Sequence, residues 1–209
     1  MGLLVSCRQA YAEGIESLYS QHVITTQSEK LLLDFPRLVP TFHLANITRL
    51  GIVVYAHWDE KLDASVLNLN HLQPILDNLS THFHRLRDFN LSFIGTRDRH
   101  NPGCEFLQGP ALPMLDAFHS SKRLRSMRVE LPSDAWRTFT EPMQPPDDEG
   151  DESWLWPRHG LLWRCLDTKE PTVQLRSYES YERYPRAPTY GDKGKESKGY
   201  WLTNGDEGY

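Results

Sequence analysis

The chain has 209 residues, of which 39% are hydrophobic, and it carries a formal net charge of -5 with a mean hydropathy of -0.57. That length suits one sizeable domain and disfavours a second full one. Five acids between positions 147 and 152 account for the negative balance, because without them the acids fall from 28 to 23 and match the 23 Lys and Arg. Charge therefore indicates neither nucleic-acid binding nor attraction to a membrane surface.

The cysteines and the start of the chain indicate a reducing compartment. Cys7, Cys104 and Cys165 are odd in number, far apart and in no C-x-x-C pair. The apolar run from Met1 to Val5 is too short for a signal peptide or a membrane span. We therefore expect an intracellular protein, cytoplasmic or nuclear, with no membrane partner.

The first forty residues predict a helix, a strand and a second helix. Apolar residues at helical spacing predict an amphipathic helix over 3–20, and β-branched residues predict a short strand over 22–26. The next helical run begins at Glu29 and leads into Pro36. Because the residue before a proline disfavours the helical conformation, this helix is predicted to stop near Asp34 or Phe35.

The runs LLVSCRQAYAEGIESLYSQHVI and LLLDFPRLVPTFHLANITRLGIVV resemble a fungal module, domain of unknown function family 7730. The matching positions are Cys7-Arg8-Gln9, Tyr11, Glu13, Leu18, Tyr19 and Phe35-Pro36-Arg37-Leu38, and Gly14 stands where alanine is usual. The likeness covers roughly residues 1–135. That family often begins with an F-box-like segment, which is missing here, so we expect a truncated or shortened relative. The resemblance implies no known activity.

Residues 69–93 form one complete helix-then-strand unit. Its apolar residues at spacings of three and four are Leu69, Leu72, Leu76, Leu79 and Phe83. Because Pro74 removes a backbone donor, the regular turn is predicted to start near Leu72, with Asn70 or His71 as the cap. Phe89, Leu91 and Phe93 then alternate with Asn90 and Ser92, which predicts a strand with one buried face.

The spacing of this unit recurs at offsets of 39 and 38 residues. The three aligned sets are Ile47, Leu50, Ile52, Val54, then Leu86, Phe89, Leu91, Phe93, then Leu124, Met127, Val129, Leu131. A fixed period in this range is typical of a stacked array resembling leucine-rich repeats, although the period here is longer. The three strands are then predicted to lie side by side and parallel. The alternative is three unrelated amphipathic strands.

The sequence of the second half of the chain predicts two short helices followed by less regular segments. A helix is predicted over 110–119, and Ser133 is predicted to cap the next one. Residues 142–153 are predicted to be an acidic disordered loop, and residues 177–209 a Tyr-rich mobile tail anchored by Tyr200-Trp201-Leu202. Between them, Trp154, Trp156 and Trp163 predict a closing strand within 154–176, with a binding surface as the alternative.

No pattern indicates catalysis, a cofactor or a metal. His82 and His84 flank Phe83 without further ligands nearby in sequence, so we expect surface histidines. Cys104 and Cys165 would need a positioned base to act as nucleophiles. No phosphate-binding, dinucleotide-binding or zinc-protease string occurs.

The expected fold is α/β: a short leucine-rich-repeat-like array of helix-strand units over 1–141, with a small mainly parallel sheet and a disordered C-terminal tail. The expected function is a non-enzymatic protein-protein interaction module, and the alternative is an enzyme whose site is assembled from dispersed loops. The partner is expected to be another protein. Its predicted surface is the sheet face turned away from the helices: Asn90, Ser92, Arg128 and Glu130, beside Gly51 and Val53. Alternatively, the Trp-rich segment or Tyr200-Trp201 covers that face.

Overall fold

The computed structural model describes residues 8–57, 66–68, 71–94, 109–143, 161–176, 189–190 and 195–205. Its helices and strands in chain order are α1 (Arg8–Gln21), β1 (Ile24–Thr26), α2 (Glu29–Leu38), α3 (Thr41–Leu44), β2 (Arg49–His57), β3 (Val66–Asn68), α4 (Leu72–His82), β4 (Asp88–Ile94), α5 (Ala111–Ser121), β5 (Ser126–Leu131), α6 (Ser133–Thr140), β6 (Leu161–Cys165), β7 (Thr172–Arg176), β8 (Thr189–Tyr190), β9 (Lys195–Glu196) and β10 (Gly199–Asn204). A single 3-10 turn, Glu141–Met143, follows α6. None of the described helices is long and apolar enough to cross a membrane.

One large sheet runs through the described chain in the order β1-β2-β4-β5-β10-β6-β7, and β3 pairs with β2. The strands from β1 to β10 in that order are parallel, and β6 and β7 are antiparallel to their neighbours. The α/β class with a mainly parallel sheet is therefore confirmed. Among the described strands, β8 and β9 pair only with each other.

The predicted neighbourhood of β2, β4 and β5 is confirmed, and so is the alignment of their apolar residues. Leu91 lies opposite Ile52 on one side and Val129 on the other. All three side chains are buried in the core that the helices form with this face of the sheet. Helix α2 packs on α4 and α4 packs on α5, so successive helices follow the order of the strands beneath them.

Helix α2 continues through Pro36 to Leu38, so the predicted stop near Asp34 or Phe35 is wrong. Pro36 cannot donate to the carbonyl four residues earlier, which belongs to Leu32. The side-chain amide of Asn78 on α4 reaches this position, with Nδ2 lying 3.4 Å from the Leu32 oxygen and 3.0 Å from the Leu33 oxygen. A donor from the neighbouring helix thus replaces the one that proline removes.

The predicted mobile tail is wrong over residues 199–204. These residues form β10, which lies between β5 and β6 in the middle of the sheet, and Tyr200 and Leu202 are fully buried. Trp201 belongs to the same strand, so the predicted anchor is part of the sheet itself. The tail from 177 to 188 and the acidic loop beyond Met143 lie outside the described residues, as do Trp154, Trp156, Cys7 and Cys104.

Candidate functional site

The sheet has a second face, turned away from the helices, on which one row of residues crosses all seven strands in register. The row is Thr25, Gly51, Asn90, Arg128, Trp201, Trp163 and Gln174. Alternation along each strand places these side chains opposite the core residues Leu91 and Leu202. The sequence placed Asn90 and Arg128 on this face, and the structure brings them side by side.

The four predicted surface residues differ in exposure according to their position along the strands. Asn90 is half-buried, and the side chain of Arg128 is 30% exposed. Ser92 and Glu130, two residues further along their strands, are buried. Val53, which lies opposite Ser92, is also buried. The expectation that the whole patch is exposed therefore needs correction: within the predicted patch, the accessible residues are those towards the amino-terminal ends of the parallel strands.

A cleft of about 600 Å³ opens at those amino-terminal ends, and we name it the amino-edge cleft. Residues from the starts of three strands line it: Arg49 from β2, Asp88 and Asn90 from β4, and Ser126 and Arg128 from β5. Further lining comes from residues just outside the strands, namely Val23, His119, Leu124, Arg125 and Lys198. Trp163 and Trp201 complete it on the β6 side.

The Trp163 side of the cleft is held by packing and by hydrogen bonds. The rings of Trp163 and Trp201 meet edge to face, with centroids 4.8 Å apart. The Trp163 indole donates to Ser197 Oγ at 3.3 Å, and the Ser197 hydroxyl donates to Asp167 Oδ2 at 2.7 Å. Gly199 lies against the indole with a φ of 156°, and an added Cβ would lie 2.9 Å from two ring carbons. The same Cβ would lie 2.0 Å from the backbone oxygen of Arg164, so the chain needs glycine here.

Basic side chains dominate the cleft. Arg125 pairs with Asp88 through two guanidinium nitrogens, one of them at 2.9 Å, and Arg128 Nε lies 3.3 Å from Glu130 Oε1. Arg49 and Lys198 form no ion pair with any described residue. In addition, Asn90 Oδ1 is buried without a hydrogen-bond partner in the described part of the chain. The cleft therefore offers unpaired cations and an unpaired amide.

A partly buried polar network joins the two halves of the sheet behind the cleft. Asp116 on α5 accepts from Arg164 of β6 at 2.7 and 3.2 Å and from the Tyr200 hydroxyl of β10 at 2.8 Å. Burial raises the pKa of Tyr200 well above its usual value, so the phenol stays protonated and donates. Burial also lowers the pKa of His119, one helical turn after Asp116, so its ring is neutral near pH 7. The Asp116 carboxylate is occupied by structural partners.

Nothing in the described residues assembles a recognisable catalytic group. No set of three His, Cys, Asp or Glu side chains there could hold a metal ion. The buried Cys165 thiol has Ser197 Oγ at 3.6 Å and Asp167 Oδ2 at 4.0 Å, and neither is a base for activating it at neutral pH. His84 is exposed and His82 is half-buried beyond the end of the α4 core, as expected for surface histidines.

The comparison with known protein families gives a match in the amino-terminal part of the chain. Residues 1–62 match the model of a family described as "Domain of unknown function (DUF7730)". This span holds α1 to α3 and β2, so it contributes Val23 and Arg49 to the amino-edge cleft. No curated protein and no solved structure matches the chain.

Several residues of the cleft carry no signal in the sequence. Lys198 lies in a segment that reads as a polar tail, and it reaches the cleft because the following strand, β10, inserts beside β5. His119 reads as an ordinary helix residue. The available signal was Tyr200-Trp201-Leu202, whose apolar character indicated contact with the domain but could not indicate which strand it joins.

Proposed function

We propose that this chain is a non-enzymatic protein-interaction module and that its partner binds in the amino-edge cleft. The observation that carries the proposal is the row Asn90, Arg128, Trp201 and Trp163, which leads into a cleft of about 600 Å³ whose polar groups are partly unpaired. Unpaired polar groups beside apolar surface suit a protein contact, because a partner can satisfy the polar groups while covering the apolar ones.

The alternative, an enzyme whose site comes from dispersed loops, has less support. An acid-base mechanism needs titratable groups that converge on one point and are free to exchange protons. Asp88 is engaged by Arg125, Asp116 by Arg164 and Tyr200, and Asp167 by Ser197. The carboxylates around the cleft thus serve as hydrogen-bond acceptors for neighbouring residues.

The proposal includes a repeat-like architecture built from three helix-strand units. Two successive junctions use the same backbone contacts: the Thr48 carbonyl accepts from the amides of Arg87 and Asp88, and the Arg87 carbonyl accepts from those of Arg125 and Ser126. Thr48, Arg87 and Arg125 are equivalent positions in the aligned units. We also propose that the chain is an intracellular fungal protein similar to leucine-rich-repeat and F-box-like modules.

A two-residue variant tests the proposal. Arg49→Ala with Asn90→Ala removes two cleft groups that have no partner among the described residues, so the melting temperature should stay unchanged. Proteins captured from a source-cell extract by the tagged full chain should be lost from the variant, as measured by quantitative mass spectrometry.

The matched control is Gln73→Ala with Asp77→Ala. These residues form a hydrogen-bonded pair on the exposed side of α4, outside the cleft lining. The control should capture the same proteins as the native chain. Capture that is equal for the cleft variant and the control would refute the assignment of the partner site.

A further inference from the structure

We propose that the amino-edge cleft takes an acidic, extended segment of the partner protein. This inference rests on the proposed function and adds the chemistry of the ligand. It follows from three features of the cleft: its charge, its pattern of unpaired polar atoms and the burial of its aromatic rings.

The charge of the cleft is opposite in sign to that of the whole chain. Four cationic side chains line it, namely Arg49, Arg125, Arg128 and Lys198, and Asp88 is the one carboxylate among its described lining residues. If Asp88 neutralises the charge of Arg125 and Glu130 neutralises that of Arg128, the positive charges of Arg49 and Lys198 remain. The full sequence carries a net charge of -5. A local positive field on an acidic chain favours encounter with acidic ligands and is weakened by salt.

His119 does not alter this balance near neutral pH. Its ring lines the cleft and is largely buried, and burial holds its pKa below the usual value. The positive charge therefore comes from arginine and lysine, which remain protonated across the physiological range. Binding of an acidic ligand is accordingly expected to persist above pH 7.

Two features favour an extended peptide over an isolated anion. The half-buried side-chain amide of Asn90 lines the cleft and can accept a hydrogen bond from a peptide N–H, which a carboxylate or phosphate ion does not offer. Apolar surface lies at the same opening: Val23 is 56% exposed, and Leu124 is half-buried. A segment with acidic residues and an aliphatic or aromatic residue would satisfy all of these groups together.

Nucleic acid is the other polyanion that a basic cleft could attract. Single strands gain affinity mainly by stacking bases on accessible aromatic faces. Trp163 and Trp201 are only 2% and 8% exposed, and they pack on each other. Among the described lining residues the cleft therefore offers no aromatic platform for bases, and an acidic peptide fits it better.

The test is fluorescence anisotropy with the full chain and three labelled probes. One probe is a short synthetic peptide in which Asp and Glu alternate with Leu and Tyr. The second replaces its acids with Asn and Gln, and the third is a single-stranded DNA oligonucleotide of equal charge. The acidic peptide should bind at least about tenfold more tightly than either of the others, and its affinity should fall as salt rises.

Charge reversal locates the binding. Arg49→Glu with Lys198→Glu should weaken acidic-peptide binding by at least about tenfold. Lys30→Glu with Arg137→Glu makes the same charge change at two exposed positions outside the cleft lining and should have little effect. Equal losses in both variants would mean that net charge, and not the cleft, controls binding.

Other occupants give different results. Tight DNA binding would overturn the proposal in favour of a nucleic-acid site. A dimer in light scattering that Arg49→Glu with Lys198→Glu dissociates would assign the cleft to a second copy. A large gain in peptide affinity after neutralising Asp147, Asp148, Glu149, Asp151 and Glu152 would assign it to the chain's own acidic run.

The two proposals can fail separately. If the acidic peptide does not bind, but Arg49→Ala with Asn90→Ala still abolishes partner capture, the ligand chemistry is wrong and the interaction site stands. If capture also survives that variant, the proposed function is refuted together with the inference.

Discussion

Leu91 is a core residue in the middle of three neighbouring parallel strands. It lies in β4 between Ile52 and Val129 on the neighbouring strands, and its side chain is 2% exposed. Asn90, one position earlier, faces the other way and lines the amino-edge cleft. Adjacent residues thus serve the core and the candidate site, and a change at one should leave the role of the other intact.

We expect Leu91→Ala to be among the most destabilising single substitutions in the chain. Truncating a fully buried leucine loses its transfer free energy and leaves a cavity, which typically costs about 2–5 kcal/mol. Urea unfolding monitored by tryptophan fluorescence measures the free energy of unfolding. Leu38→Ala is the control, because Leu38 is 62% exposed and its truncation should change stability by no more than about 0.5 kcal/mol. Equal stability of the two variants would show that position 91 is not part of the core.

At the scale of the helices and strands, the sequence predicted what depends on local periodicity. The register of β2, β4 and β5 followed from apolar spacing, and the start of α4 at Leu72 followed from Pro74. Of the two predicted caps, Asn70 and His71, it is His71 that occupies the N-cap position, without a side-chain hydrogen bond to the helix. The end of α2 did not follow, because it depends on Asn78 from a helix more than thirty residues away. Local rules for proline do not include a donor supplied by another helix.

The Pro36-Asn78 relation is testable by a double-mutant cycle. Asn78→Ala removes the donor and leaves the Leu32 and Leu33 carbonyls without it, so it should cost about 1–3 kcal/mol in the native background. Pro36→Ala restores a backbone N–H for the Leu32 carbonyl, so the same Asn78→Ala change should cost less in that background. Urea unfolding of the four proteins gives the coupling energy. Simple additivity would contradict the compensating role of Asn78.

At the scale of the whole molecule, β10 determines both the sheet and the candidate site. It pairs with β5 on one side and with β6 on the other, so it links the strands of the first 131 residues to the antiparallel pair that follows them. Its neighbour Lys198 and its own Trp201 line the cleft. The sequence could not reveal this, because a strand of six residues after a polar segment has no local feature that selects its partners. Pairing across more than seventy residues is decided by the exposed edges of β5 and β6.

Removal of β10 should therefore unfold the domain instead of trimming it. A chain that ends at Lys198 loses the buried side chains of Tyr200 and Leu202, and it leaves Arg164 and Asp116 without the Tyr200 hydroxyl. It also exposes the facing edges of β5 and β6, which then favour aggregation. We expect loss of the cooperative thermal transition in circular dichroism. A chain that ends at Gly205 keeps every described contact of β10 and should melt like the native protein. If the chain ending at Lys198 keeps a cooperative transition near the native temperature, β10 is an attachment to a domain that is stable without it, and the sheet must be held by β2, β4 and β5 alone.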